Sequence, residues 1–300
     1  MKLVCYQHGG KIHYGAVKGS RVVDLTSRIG AAYPDIVEFI SGSGLPIAQS
    51  IVDRETGDFN YDSLALAPVV PNPGKIFCVG LNYHDHIAEA ESKLGNLKNT
   101  TMPMIFARWP ESLAAHRQPI LRPKASITLD WEAELLVVIG RNTGRYLPKE
   151  RALDHIFGYS CMNEACLREY QRHSSQIVPG KNFEQTGATG PWLVTADEVP
   201  DPMNLDIELR LNGEVMQTSN TRQMIQSIPT VIEYISRWIP LKPGDLIATG
   251  TMGGVGFSRN PPIFMKPGDV AEVTIEGIGT LRNPIEDEVI APGVLTPPEN

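Results

Sequence analysis

Cysteine is scarce in this 300-residue chain, and its four copies are poorly placed for cross-linking or for zinc. Cys5, Cys78, Cys161 and Cys166 form no CxxC pair and show no zinc-site spacing. Buried free thiols in a reducing compartment are the expectation. Long apolar runs are missing as well. The opening MKLVCYQHGG holds no run long enough for a signal peptide, and no stretch approaches the ~18–20 apolar residues of a membrane span. A cytoplasmic protein is expected, with no membrane partner. Basic residues are outnumbered, 27 Lys and Arg against 34 Asp and Glu, for a formal net charge of −7. That balance argues against a nucleic-acid or anionic-membrane surface. It leaves an acidic small molecule open as a ligand, because a bound cation inverts the local field. The hydrophobic content of 42% with 20% charge argues against global disorder and suffices for a sizeable core.

Turn signals at Gly9-Gly10 and Lys18-Gly19-Ser20 divide the opening stretch into short β-type runs at 3–6, 12–17 and 22–25. A helix pattern follows at 35–40. The proline-studded run from Ala67 to Gly74 stiffens the chain and marks a boundary. The expected organisation is a small N-terminal α+β domain over 1–70, a main domain over 71–290 and a loose, proline-rich tail over 291–300. Within the main part, an apolar strand at 75–80 precedes a helix candidate at 82–91. A strand at 205–211 runs into Asn212-Gly213, a strong hairpin signal. A helix is expected at 228–238, and strands at 246–249, 270–275 and 280–282. This mixture predicts a β-rich α+β fold, not a doubly wound parallel sheet.

The densest chemistry lies in Leu129-Asp130-Trp131-Glu132-Ala133-Glu134-Leu135. On a strand, alternate side chains share a face, which puts Asp130, Glu132 and Glu134 on one side and Trp131 and Ala133 on the other. Members of such a row lie about 7 Å apart, and at an effective dielectric of about 20 each adjacent pair repels by about 2–2.5 kcal/mol. The unbroken apolar run Leu136-Val137-Val138-Ile139 carries the strand into the interior. Acids at the mouth of a buried strand need water, basic partners or a cation; a solvated acidic face is the competing reading. Glu164, which follows another strand pattern, offers a further carboxylate. Glu132, Glu134 and Glu164 together suit magnesium or manganese, whereas zinc usually recruits His or Cys.

Gly80-Leu81-Asn82-Tyr83-His84-Asp85-His86-Ile87-Ala88-Glu89 reads as strand, turn and helix start. His86 and Glu89, three apart, meet on a helix. A carboxylate beside an imidazole fixes its tautomer and raises its basicity, which suits a general base for water. A surface ion pair is the alternative, and His84 projects from another face. Lys181 sits in the loop Pro179-Gly180-Lys181-Asn182-Phe183. Thr249-Gly250-Thr251-Met252-Gly253-Gly254-Val255-Gly256 is a strand-end loop whose N–H groups and Thr251 hydroxyl suit a carboxylate. It has neither the ending of a phosphate loop nor the GxGxxG spacing.

In this order, the pieces resemble the fumarylacetoacetate hydrolase family. Its GxNYxxHxxE is matched by Gly80, Asn82, Tyr83, His86 and Glu89, and its D-aromatic-ExEL by the stretch from Asp130 to Leu135. A G[YF]xxxND…RDxQ segment is similar to Gly158-Tyr159, Asn163-Glu164, Arg168-Glu169 and Gln171. GKxF, GPW and TGTPxGVG correspond to the stretches starting at Gly180, Gly190 and Thr249. The resemblance implies a mixed β-sandwich roll, usually dimeric, with Mg²⁺ or Mn²⁺ held by two acids of ExE and a third acid. By position it makes Glu132, Glu134 and Glu164 the metal ligands, His86 and Glu89 a water-activating dyad, and Lys181 a catalytic residue. Tyr83, Arg168, Gln171 and Thr251 are then the substrate-binding residues. The implied substrate is a small 2-oxo acid, and the implied reaction is hydrolytic C–C cleavage of an acylpyruvate, as in aromatic-compound catabolism. Decarboxylation, hydration or tautomerisation of a 2-oxo acid is the rival, since all pass through the same enolate; a binding module without catalysis is a third reading. Three positions depart from the pattern: Glu164 stands where Asp is usual, Met252 replaces the loop proline, and Arg108 occupies a position often held by lysine.

Overall fold

The computed structural model describes residues 1–42, 44–94 and 101–290; the tail expected over 291–300 lies outside the described residues. A 12-stranded sheet organises the chain. Its main path runs Phe59–Asn60, Arg21–Asp24, Lys11–Lys18, Lys2–His8, Gly187–Thr195, Ile156–Asn163, Ala133–Ile139, Leu246–Ala248, Ile76–Gly80 and Met104–Ala107. A five-stranded sheet, Glu214–Asn220, Asp206–Leu211, Val270–Ile275, Gly279–Asp287 and Ile120–Arg122, packs against it. The architecture is α+β and rich in strand.

The strand Ala133–Ile139 explains why its sequence shows no alternation. All seven residues are buried, because both faces of the sheet are covered. Ala133, Leu135, Val137 and Ile139 join a core with Ile207, Leu209, Val273 and the helix Ile228–Ser236. Leu136 and Val138 face the other way, into a core with Phe39, Ile40, Ala48 and Val52 of the N-terminal helices. Each such aliphatic side chain contributes about 1.5–3 kcal/mol by burial. The strand is thus a rigid floor, and whatever stands at its mouth is fixed with it.

The N-terminal strands continue the same sheet: Lys2 pairs with Val194 and Leu3 with Leu193. The Asn212-Gly213 hairpin forms as the dipeptide predicts. Both residues have positive φ, 54° and 83°, as a two-residue turn compatible with strand twist requires. The helix Ile228–Ser236 starts where Ser227 accepts a hydrogen bond from the Thr230 N–H, and it buries Ile228, Val231, Ile232 and Ile235 along one stripe. All four cysteines are free and buried. Among the described residues, no helix is long and apolar enough to cross a membrane.

Candidate active site

Antiparallel register brings two of the acids together. Ala133 pairs with Asn163, so the next residues outward, Glu132 and Glu164, become neighbours, and the Glu164 N–H donates to the Glu132 carbonyl at 2.8 Å. Glu134 lies one strand period inward from Glu132. Carboxylate oxygens of Glu132, Glu134 and Glu164 all fall within 4.8 Å of one another, and all three residues are buried. At that spacing, and an effective dielectric of about 20, each ionised pair repels by at least about 3 kcal/mol. Such a cluster needs counter-charge.

Most of that charge comes from inside the chain. Lys181, on the short helix Val178–Lys181, donates to Glu132 Oε2 at 2.7 Å, Glu164 Oε2 at 2.5 Å and the Glu164 carbonyl at 3.0 Å. Arg108, buried beneath, donates to Glu164 Oε1 at 2.5 Å and also holds Ala165, Ser112 and Thr186. Arg168 spans Glu132 at 2.7 Å and Asp130 at 2.7 Å. Burial alone would push Glu132 upward, yet Lys181 and Arg168 pull it down to about 2. At Glu164 burial outweighs Lys181 and Arg108 and raises the carboxyl, and Glu134 goes further in the same direction. Its polar contact is the Gly250 N–H at 2.8 Å, and burial together with Glu164 and Glu132 pushes its carboxyl well above the usual range. Three cations thus face four carboxylates, and the charge left over belongs to Glu134.

The donor set therefore fits a hard divalent cation. Every donor is a carboxylate oxygen, the three converge, and among the described residues Glu134 pairs with no cation; magnesium and manganese suit such a set, with Glu132, Glu134 and Glu164 as the holding residues. Among the described residues this is the single cluster of its kind.

Asp130 does not join the row. The strand Leu129–Asp130 pairs with Cys166–Leu167, and the chain breaks from it before Ala133, so the expected alternation does not extend that far. Its carboxylate instead accepts from Arg168 and from the Gly256 and Phe257 N–H groups at 2.7 and 2.9 Å. The glycine-rich loop shows the same inversion. Its amides, expected to hold a substrate carboxylate, hold the chain's own acids: Gly250 holds Glu134, and Gly254 holds Glu89 at 2.9 Å. Both glycines have φ near +100°, and a Cβ at Gly254 would lie 2.3 Å from the Met216 carbonyl oxygen; the loop reaches these acids only with glycine there.

Across the cavity stands the dyad, on the helix His84–Leu94. His86 Nδ1 and Glu89 Oε1 are 2.8 Å apart. Glu89 Oε2 also accepts from Ser258 Oγ at 2.6 Å. Burial works against the Glu89 charge, but bonds from His86, Ser258 and Gly254 outweigh it and hold the carboxyl below its usual range. An ionised carboxylate can only accept, so Nδ1 carries the proton and neutral His86 keeps a lone pair on Nε2. His84 is exposed.

A cavity of about 220 Å³ unites these groups. Its polar lining includes His86, Glu89, Glu132, Glu134, Glu164, Arg168, Gln171, Lys181, Thr251 and Ser258; its apolar lining includes Val79, Leu81, Phe106, Ile177 and Phe257. Among the described residues Arg168 Nη2 is buried without a hydrogen-bond partner. Thr251 Oγ1 accepts from Gln217 Nε2 at 2.8 Å, and Gln171 Oε1 accepts from Arg168 at 3.1 Å. Two expectations change. Tyr83 does not line the cavity: it is fully buried in the main core. Lys181 lines it, but its three N–H donors are already committed and its ammonium is held far above the ordinary value by Glu132 and Glu164 against the opposing pull of burial. In this arrangement it clamps two acids. Ser258, Gln217 and Arg108 are partners that the sequence reading assigned no role.

Comparison with known proteins places the chain in a family. Residues 75–286 match the family model described as fumarylacetoacetate (FAA) hydrolase C-terminal. The chain is 36% identical over 271 residues to a Xenopus laevis protein named oxaloacetate tautomerase fahd2, mitochondrial, covering 89% of this chain and 83% of that one. Its fold matches a putative HpcE protein from Mycobacterium smegmatis with TM-score 0.81 and 32% identity, across 96% of this chain and 99% of the other. It also matches the maleylpyruvate hydrolase of Sphingobium sp. SYK-6, solved with manganese(II) and pyruvate, with TM-score 0.78, 29% identity and coverage of 96% and 99%. With three buried acids, a His–Glu dyad and a family match over most of its length, the chain belongs to the fumarylacetoacetate hydrolase family.

Proposed function

We propose that this protein is a Mg²⁺- or Mn²⁺-dependent enzyme that hydrolyses the C–C bond of an acylpyruvate. The observation that carries the reading is the placement of His86 and the three-acid cluster on one cavity, with Nδ1 tied to Glu89 and Nε2 left basic. A divalent cation held by Glu132, Glu134 and Glu164 would supply Lewis acidity toward the 2-oxo carboxylate end of the substrate. Arg168 Nη2, buried without a partner, is a donor for that same carboxylate.

His86 Nε2 takes a proton from water as the water oxygen attacks the 4-carbonyl carbon. Glu89, fixed by Gly254 and Ser258, stabilises the imidazolium that results. The adduct then collapses: the C3–C4 bond breaks, its electron pair passes into the pyruvate enolate, and a carboxylic acid leaves. The imidazolium returns its proton to C3, giving pyruvate. The Sphingobium neighbour supports this reading, being a maleylpyruvate hydrolase with pyruvate bound.

A second reading is favoured by the Xenopus relative, an oxaloacetate tautomerase. There, His86 Nε2 would take the C3 proton of a 2-oxo acid and a proton would return to the enolate oxygen, so that no carbon–carbon bond would break. Incubating metal-loaded protein with acetylpyruvate, fumarylpyruvate, maleylpyruvate and oxaloacetate separates the two. Equimolar pyruvate and carboxylic acid are expected. Enol–keto interconversion of oxaloacetate without any cleavage would replace hydrolysis by tautomerisation, and no change in any of the four would overturn both.

A further inference from the structure

The cations around the cavity are not alike. Arg108, Arg168 and Lys181 each donate to a carboxylate of the chain itself. Arg172 lines the same cavity, and among the described residues it makes no ion pair. Its guanidinium lies 4.8 Å from the centre of the Phe257 ring, another lining residue. Its Nε donates to the Arg168 carbonyl at 3.2 Å. Ring contact on one side and a backbone bond on the other remove much of the rotamer freedom an exposed arginine would otherwise lose on binding. The two Nη groups remain as a planar fork, the geometry that meets a carboxylate with two parallel bonds.

We propose that Arg172 determines substrate specificity by binding the second carboxylate of a dicarboxylic 2-oxo acid. The inference rests on the 2-oxo acid reading above and deepens it. One end of the substrate would be taken by a cation held on the acid cluster together with Arg168, the other by Arg172, and the apolar wall that includes Ile177 and Phe257 accommodates the carbon chain between them. A monocarboxylic acylpyruvate would leave Arg172 without an anion and forgo its contribution.

The test is binding by calorimetry to the full, Mg²⁺-loaded protein, with 2-oxoglutarate against 2-oxopentanoate, which carries a methyl where the former has its second carboxylate. Wild type is expected to prefer 2-oxoglutarate by at least ~10-fold. Arg172→Gln should abolish the preference by weakening 2-oxoglutarate alone, and Arg172→Lys should restore part of it. In turnover, Arg172→Gln should raise KM for fumarylpyruvate while leaving kcat and the kinetics of acetylpyruvate unchanged. A preference that survives in Arg172→Gln, or equal binding of the two ligands to wild type, overturns the role of Arg172 and leaves the 2-oxo acid reading standing. Failure of wild type to bind either ligand overturns both.

Discussion

On one side of the cavity, Glu132, Glu134 and Glu164 stand at the ends of strands covered on both faces, and three cations compensate Glu132 and Glu164 while Glu134 is held by a backbone amide. On the other side, His86 and Glu89 ride a surface helix, and the Glu89 carboxylate is held by the imidazole, a loop amide and a hydroxyl, with no Lys or Arg paired to it among the described residues. The difference follows from burial. Full desolvation makes an unpaired carboxylate cost several kcal/mol, so the deep wall must carry fixed counter-charge. A half-buried carboxylate needs only dipoles, and a base wants no neighbouring cation to weaken it. The deep wall is built to hold charge, the shallow wall to move a proton.

The sharpest break of that comparison is His86→Ala. Turnover should fall by about 10²–10⁴-fold while manganese affinity stays within twofold of wild type; unchanged hydrolysis would remove the dyad from the chemistry. Next is Lys181→Met, which leaves Glu132 and Glu164 short of a buried cation. The metal-free protein should lose about 3–5 kcal/mol of stability, and added Mg²⁺ should recover part of it because it binds only the native state. A melting temperature unmoved by the substitution would show that Arg108 and Arg168 alone suffice. Smaller again is Glu164→Ala, with manganese affinity down at least ~10-fold and Glu164→Asp intermediate. Equal affinity in all three forms would take Glu164 out of the metal site and leave its pairing with Arg108 and Lys181 as its role.

Much of both walls is legible in the sequence, for local reasons. His86 and Glu89 meet because helical residues three apart share a face, and Glu132, just before the strand that holds Glu134, keeps the extended two-residue spacing that brings it alongside. Period-two reasoning fails at Asp130, since the strand is interrupted at Trp131 and Glu132 and nothing local announces the break. Glycine amides favour any carboxylate, so the loop's sequence suits a substrate cradle equally well; that the carboxylates are Glu134, Glu89 and Asp130 depends on contacts spanning more than a hundred residues. The same distance hides Ser258 on Glu89 and the pairing of Lys2–His8 with Gly187–Thr195. Tyr83 shares a motif with His86 but faces the core, so motif membership does not give direction. The Glu164 and Arg108 departures do make sense together: the longer acid meets a longer, forked cation in one buried pair.

The smallest effect probes the shallow wall through Ser258. Its hydroxyl donates to Glu89 Oε2, and against the cost of burial it helps keep that carboxyl below its ordinary value of about 4.5. A carboxylate whose folded pKa is depressed contributes stability that is present above the unfolded pKa and is lost as pH falls through the folded one. Ser258→Ala removes one donor, raising the folded pKa of Glu89 toward the unfolded value. At pH 7 the variant should be less stable than wild type by about 1 kcal/mol, the net worth of one hydrogen bond to a partly solvated charge. Below pH ~4.5, as Glu89 takes up a proton in both proteins, that difference should shrink. Melting temperatures of the pair at several pH values from 7 down to 3.5 measure it. A gap that stays constant over the range would mean that Ser258 acts through packing and the Val255 carbonyl it also bonds, leaving the Glu89 charge to Gly254 and His86.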